Sequence, residues 1–166
     1  MKTEKNLQEA FAGESQANRK YLAFAKKADK DGFSQVAKLF RAVAEAETIH
    51  AHSHLRALDG VKDTAENLQG AIAGEKHEFT EMYPGFLKDA EAEGNKRAII
   101  SIKHAMATEK VHHDLFEQAL AAVAAGKDLE SLGIFLCPVC GHVELGEAPD
   151  RCPVCNVKKE KYLAME

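Results

Sequence analysis

The chain has 166 residues, 45% of them hydrophobic and 29% charged, and a net charge of −4. That length holds one full-sized domain and a small appendage, and the interspersed charges form no basic stripe that could follow a phosphate backbone, so nucleic acid is excluded as a partner. No run of about 18 apolar residues exists to span a membrane, and the opening Met1-Lys2-Thr3-Glu4-Lys5-Asn6 lacks the apolar core of an export signal, so the expected compartment is the cytoplasm.

Helix formers dominate as far as Ala125. The first predicted helix runs from about Thr3 to Lys30 and stops at Asp31-Gly32, a turn signal. Its seam, stepping by three and four, reads Leu7, Ala10, Glu14, Ala17, Tyr21, Ala25, Ala28. The second helix spans Phe33 or Ser34 to Leu58 and ends at Asp59-Gly60, with the seam Phe33, Val36, Phe40, Val43, Glu47, His50, His54. The third begins after an N-cap at Asp63 or Thr64 and reaches Glu93. Pro84 lies inside it and removes a backbone donor, so a kink or break is expected near Glu81 to Pro84. The fourth covers Asn95 to Ala125, with Ala98, Ile102, Ala105, Glu109, His112, Phe116, Ala119 and Val123 on its seam.

Four helices of this length make a four-helix bundle about 40 Å long. Its apolar seams turn polar at one level. Glu47 and His50, and again Glu109 and His112, are three residues apart and share a helix face. Glu14 interrupts the first seam; Glu75 and Glu78 interrupt the third. The chain repeats: Glu14 to Glu47 is 33 residues and Glu75 to Glu109 is 34, each interval crossing one hairpin, and Glu78 alone has no mate. Five carboxylates in one core require counter-charge, because each ionised alone costs several kcal/mol. Two metal ions supply it, and a carboxylate-rich set with a little imidazole suits iron or manganese.

All four cysteines fall near the C-terminus, as Cys137-Pro138-Val139-Cys140 and Cys152-Pro153-Val154-Cys155 with eleven residues between. Paired knuckles without an export signal read as a tetrahedral four-thiolate site for iron or zinc, not as disulfides. The expected organisation is therefore a bundle over residues 1–126, a linker over 127–133, and a metal-folded domain over 134–166, too short to bury much core.

At these motifs the chain resembles the rubrerythrin family over essentially its whole length. The matching stretches are Phe11-Ala12-Gly13-Glu14-Ser15, Ala46-Glu47-Thr48-Ile49-His50-Ala51, Gly74-Glu75-Lys76-His77-Glu78 followed by Met82-Tyr83-Pro84, Glu109-Lys110-Val111-His112, and both cysteine knuckles. The resemblance implies a ferritin-like di-iron bundle joined to a rubredoxin-like domain. It implies two irons on Glu14, Glu47, His50, Glu75, Glu78, Glu109 and His112, with Glu47 and Glu109 bridging, and a third iron on Cys137, Cys140, Cys152 and Cys155. It further implies that His50 is exchanged for Glu78 on oxidation.

The activity so implied is reduction of hydrogen peroxide to water in defence against oxidative stress, with single electrons relayed through the thiolate iron. An external donor such as rubredoxin and its NAD(P)H-dependent reductase would supply them. The alternative is ferritin-like iron oxidation and storage, which gains nothing from a one-electron centre on every chain. A zinc-ribbon interaction module on a structural bundle leaves five buried glutamates unexplained.

One departure from the family is Asn156, where rubredoxin knuckles carry Gly; Asn is the side chain that next best tolerates a left-handed backbone. Iron is expected there, with zinc possible. Tyr21 and Tyr83 are candidates for orienting the ligand carboxylates. His54 reads as a core histidine, and His52, His77, His104 and His113 as surface residues. A homodimer is expected, with exchange of hairpins between chains as its swapped form, because Asp59 to Asp63 is too short to recross the bundle.

Overall fold

The computed structural model describes residues 1–130 and 132–165; linker residue Ser131 and the terminal Glu166 lie outside the described residues. The chain forms two compact units, Met1–Lys62 and Asp63–Glu166. The fold class is the expected one, helical and ferritin-like with a small stranded C-terminal domain.

The first unit is a hairpin of α1 (Lys2–Lys30) and α2 (Ser34–Ala57). Gly32, at φ +84°, supplies the left-handed residue that ends α1, and Phe33 N–H closes the turn on the Ala28 carbonyl at 2.9 Å. Between the helices lie Ala25 and Ala28 of α1 and Ala37, Ala44 and Ala51 of α2, all buried. Ala25 and Ala28 lie on the expected seam of α1, and it is the seam of α2 that is corrected. Small residues let two backbones approach closely, whereas Phe33 and Val36, predicted to be buried, are 62% and 45% exposed. A two-helix hairpin buries one stripe of each helix, and the alanine stripe takes it.

The second unit begins with α3 (Thr64–His77), capped by Asp63, whose Oδ1 accepts from Glu66 N–H at 2.9 Å. The predicted kink is a π turn over Glu78–Met82, followed by α4 (Tyr83–Ala92). Pro84 near the start of α4 has no N–H to continue the regular ladder, and the wider turn absorbs the defect. Helix α5 (Lys96–Ala124), capped by the Asn95 side chain, packs along both α3 and α4.

The C-terminal part is a three-stranded antiparallel sheet in the order β2-β1-β3, with β1 at Gly133–Leu136, β2 at Val143–Gly146 and β3 at Leu163–Met165. Its two cysteine knuckles repeat one hydrogen-bond pattern. Cys137 N–H donates to His142 O at 2.8 Å and Gly141 N–H to Cys137 O at 3.0 Å; Cys152 N–H donates to Val157 O at 2.8 Å and Asn156 N–H to Cys152 O at 2.9 Å. Gly141 at φ +90° and Asn156 at φ +63° occupy equivalent left-handed positions, so Asn performs the glycine's part.

Candidate metal centres

In the first unit Glu14, Glu47 and His50 converge. His50 Nδ1 lies 3.0 Å from Glu47 Oε2 and 3.8 Å from Glu14 Oε1, and the imidazole is 56% exposed. A buried Asn18 fixes the register beneath them: its Nδ2 donates to Ala44 O at 2.7 Å and to Thr48 Oγ1 at 2.8 Å, one turn from Glu14 and beside Glu47. Tyr21, expected near the carboxylates, has its ring in a cluster with Phe24 and Phe40. His54 is half-buried one turn beyond His50 and outside the triad.

In the second unit Glu75, Glu109 and His112 form the matching triad, with His112 Nδ1 at 2.8 Å from Glu109 Oε2 and 3.8 Å from Glu75 Oε2. Burial, and then the charge of Glu109, push the Glu75 carboxyl above the ordinary carboxylate range, with His112 opposing. Glu75 Oε2 is buried without a hydrogen-bond partner. Such an oxygen is costly unless something completes it.

His112 gives a second test of fit. Its Nε2 lies 2.9 Å from the Gly141 carbonyl oxygen, which can only accept, so Nε2 carries a proton. Nδ1 then faces carboxylate oxygens that also only accept, and a cation, proton or metal, must sit between them. Both observations suit a metal ion held by carboxylates and imidazole.

Glu78, in the π turn, is half-buried and lies outside this triad. The Tyr83 phenol is held above its ordinary range by burial and then by the charges of Glu109, Glu78 and Glu75, which places it among three carboxylates. The surface reading of His104 and His113 is corrected: both are part-buried, and His113 packs edge-on to Phe79 at 5.5 Å. α5 is covered on more faces than one heptad seam describes.

The four thiols converge as predicted, Cys137 Sγ at 3.6 Å from Cys155 Sγ and Cys140 Sγ at 3.4 Å from Cys152 Sγ. A tetrahedral ion about 2.3 Å from each sulfur spaces them about 3.8 Å apart, so little movement closes the site. Burial raises the Cys152 thiol, but hydrogen bonds led by the Cys155 backbone and Tyr162 outweigh it and bring the thiol to about 6. Burial pushes Cys140 up.

Three residues around this site escaped the sequence reading. Buried His142 has its Nδ1 3.0 Å from Tyr162 Oη, and buried Thr108 lies on α5 facing Gly141. No periodic pattern links a helix position or a knuckle to residues twenty or more positions away.

The sequence model described as rubrerythrin matches residues 5–120, the whole stretch that carries both Glu-x-x-His triads. The chain belongs to the rubrerythrin family. A second model, for the rubrerythrin rubredoxin-like domain, matches residues 135–162 and so takes in all four cysteines. Rubrerythrin-2 of Clostridium acetobutylicum is 36% identical over 95% of this chain and 94% of its own length. Nigerythrin of Nitratidesulfovibrio vulgaris is 34% identical over 98% of this chain and 86% of its own. A solved structure of nigerythrin in a partially reduced state aligns with a TM-score of 0.60 at 33% identity, again over 98% and 86% of the two chains. Family membership implies an oxidoreductase with carboxylate-histidine and four-cysteine metal sites; no helix among the described residues is long and apolar enough to cross a membrane.

Proposed function

We propose that this rubrerythrin-family chain is a non-haem di-iron peroxidase of the cytoplasm that reduces hydrogen peroxide to water. The observation that carries the reading is the packing of the four-thiol knuckle on the helix of the second triad, with Gly141 O at 2.9 Å from His112 Nε2. A storage protein has no use for a one-electron centre so placed. Residues 1–126 form the di-iron part and 134–166 the rubredoxin-like part. Glu14, Glu47, His50, Glu75, Glu78, Glu109 and His112 hold two irons, and Cys137, Cys140, Cys152 and Cys155 hold one, a site zinc also fits.

When bound, the iron pair supplies two electrons and two adjacent positions for the oxygens of the oxidant. The chain's own residues do the rest. Glu47 and Glu109, each beside its histidine, would hold the irons together with His50 and His112. His112 is held by the Gly141 carbonyl, whereas His50 is more exposed and meets no such carbonyl among the described residues, so of the two imidazoles that would hold iron His50 would be the freer to move. Tyr83, its phenol held above the ordinary range by burial and then by the charges of Glu109, Glu78 and Glu75, keeps a proton that these carboxylates could draw on.

Electrons come from an external rubredoxin-type donor and its NAD(P)H-dependent reductase, and the working form is a homodimer. The test is Cys137→Ser in the iron-loaded protein. The red colour of the thiolate iron and steady-state peroxide reduction from the donor should be lost, while the chemically reduced di-iron site still consumes peroxide once. Persistent steady-state turnover would remove the thiolate domain as the inlet for electrons, and accumulation of ferric mineral with peroxide unconsumed would favour iron storage.

A further inference from the structure

Thr108 is the one buried residue of the 29-residue helix α5 among those described, and it is 2% exposed. Nothing in the metal chemistry above uses it. Its hydroxyl proton is spent within the helix, donated to the Ala105 carbonyl at 2.9 Å. What remains is its shape and an oxygen turned outward.

The outward neighbour is Gly141. A Cβ built on that glycine would sit 3.8 Å from Thr108 Oγ1 and meet nothing else within 4 Å, so Thr108 is the side chain that faces Gly141, with a methyl-sized space between them. One helical turn further along α5, His112 Nε2–H donates to the carbonyl of the same glycine. Gly141 directly follows Cys140 and holds a left-handed backbone at φ +90°, which leaves it little freedom to adjust. The next residue, His142, is 3% exposed, and strand β2 packs on α5. One residue of the knuckle is therefore bonded by His112 and faced by Thr108.

We infer that Thr108 is a positioning residue: its size sets the height at which the Cys137–Cys140 knuckle seats on α5, and through the Gly141 carbonyl it fixes the tautomer and orientation of His112. The inference rests on His112 being a metal ligand. A larger side chain lifts the knuckle and stretches the His112 bond. A smaller one leaves a gap into which the knuckle shifts. Valine, with the same shape and no hydroxyl, preserves the seat, because the hydroxyl takes no part in holding Gly141.

Two readouts test this in the full chain. In protein loaded with zinc, which is diamagnetic, nitrogen-resolved NMR follows exchange of the His112 Nε2–H with water. In iron-loaded protein, stopped-flow absorbance follows electron loss from the reduced thiolate centre after peroxide is added. Thr108→Ile and Thr108→Ala should expose the Nε2–H to faster exchange and slow the electron loss about ten- to hundredfold, the range seen when a partner of a metal ligand is disturbed. The red absorption, and reduction of the thiolate centre by its external donor, should not change. Thr108→Val should match the wild type in both.

If the isoleucine variant fails to fold, the alanine variant decides, since Ala is the best helix former. Wild-type exchange and wild-type electron loss in Thr108→Ala, or loss of either in Thr108→Val, would overturn the inference. If peroxide is not the oxidant, the wild type itself shows no electron loss, and the zinc-loaded exchange comparison still reads the seat.

Discussion

Asn18 on α1 donates to Thr48 on α2 at 2.8 Å, and its second amide proton satisfies the Ala44 carbonyl at 2.7 Å. This buried amide ties together the two helices that carry Glu14 and Glu47. Truncation leaves acceptors buried without a donor, and Thr48 can only half repair the loss through its own 3.2 Å bond to the same carbonyl. Asn18→Ala should therefore destabilise the protein by about 1–3 kcal/mol. It should also weaken iron binding at the first triad more than at the second. Urea unfolding and iron titration check the two effects, and an unchanged unfolding midpoint would show that the amide does not hold the hairpin.

Glu75 gives a pH prediction for metal-free protein. Burial and the Glu109 charge raise its folded-state carboxyl above the unfolded value, so the native state binds more protons between the two. With that sign, stability falls as pH rises from the unfolded pKa through the folded one. Glu75→Gln removes the penalty and should stabilise the metal-free chain at neutral pH, with little gain near pH 4. The same variant should bind iron more weakly, because it takes an anionic ligand from the triad. Equal stabilisation at both pH values would mean that the ionisation of Glu75 is not what costs stability.

Glu78 stands apart from the triad and has no counterpart in the first hairpin. Its place in the π turn gives the backbone around it a geometry that a regular helix lacks. Glu78→Ala should leave the chain folded and able to bind iron through its six partners, yet slow peroxide turnover. Full turnover with unaltered di-iron spectra in this variant would take Glu78 out of the mechanism.

The triads were legible because helical periodicity does most of the work. Glu47 with His50 and Glu109 with His112 share a face at any spacing of three, and Glu14 and Glu75 fall at matching distances from their turns. The packing phase was less legible. Val36 and Val43 lie one position from Ala37 and Ala44, so two stripes competed; bulk favoured the valines, while close approach of two backbones selected the alanines. For His113 the error has another source, since a single seam cannot describe a helix touched by α3, α4 and a strand domain. The His142–Tyr162 and Thr108–Gly141 pairs depend on how the knuckles fold, which no repeat in the chain encodes.

Assembly supplies the last prediction. Helix α2 ends at Ala57 and α3 starts at Thr64. The six residues between them reach about 20 Å when fully extended, and they are not extended, because Gly60 N–H is bonded back to the Leu55 carbonyl at 2.9 Å. The repeated triads suggest two hairpins related by a two-fold axis across the metal pair, which requires α3 to begin at the opposite end of a bundle from the end of α2. Helix α2 alone is about 36 Å long at 1.5 Å per residue, so this connection cannot make the crossing within one chain. Two chains that exchange hairpins meet the requirement, each completing the other's sites. A simple up-down-up-down bundle avoids the crossing and gives up the two-fold. The swapped form should sediment as a dimer. Mixing a Glu14→Ala chain with a Glu109→Ala chain, then unfolding and refolding the mixture, should restore one complete di-iron site in each heterodimer, visible in the iron count and in recovered peroxide turnover. A stable monomer with three irons, or a mixture that recovers nothing, would leave each chain building its sites alone.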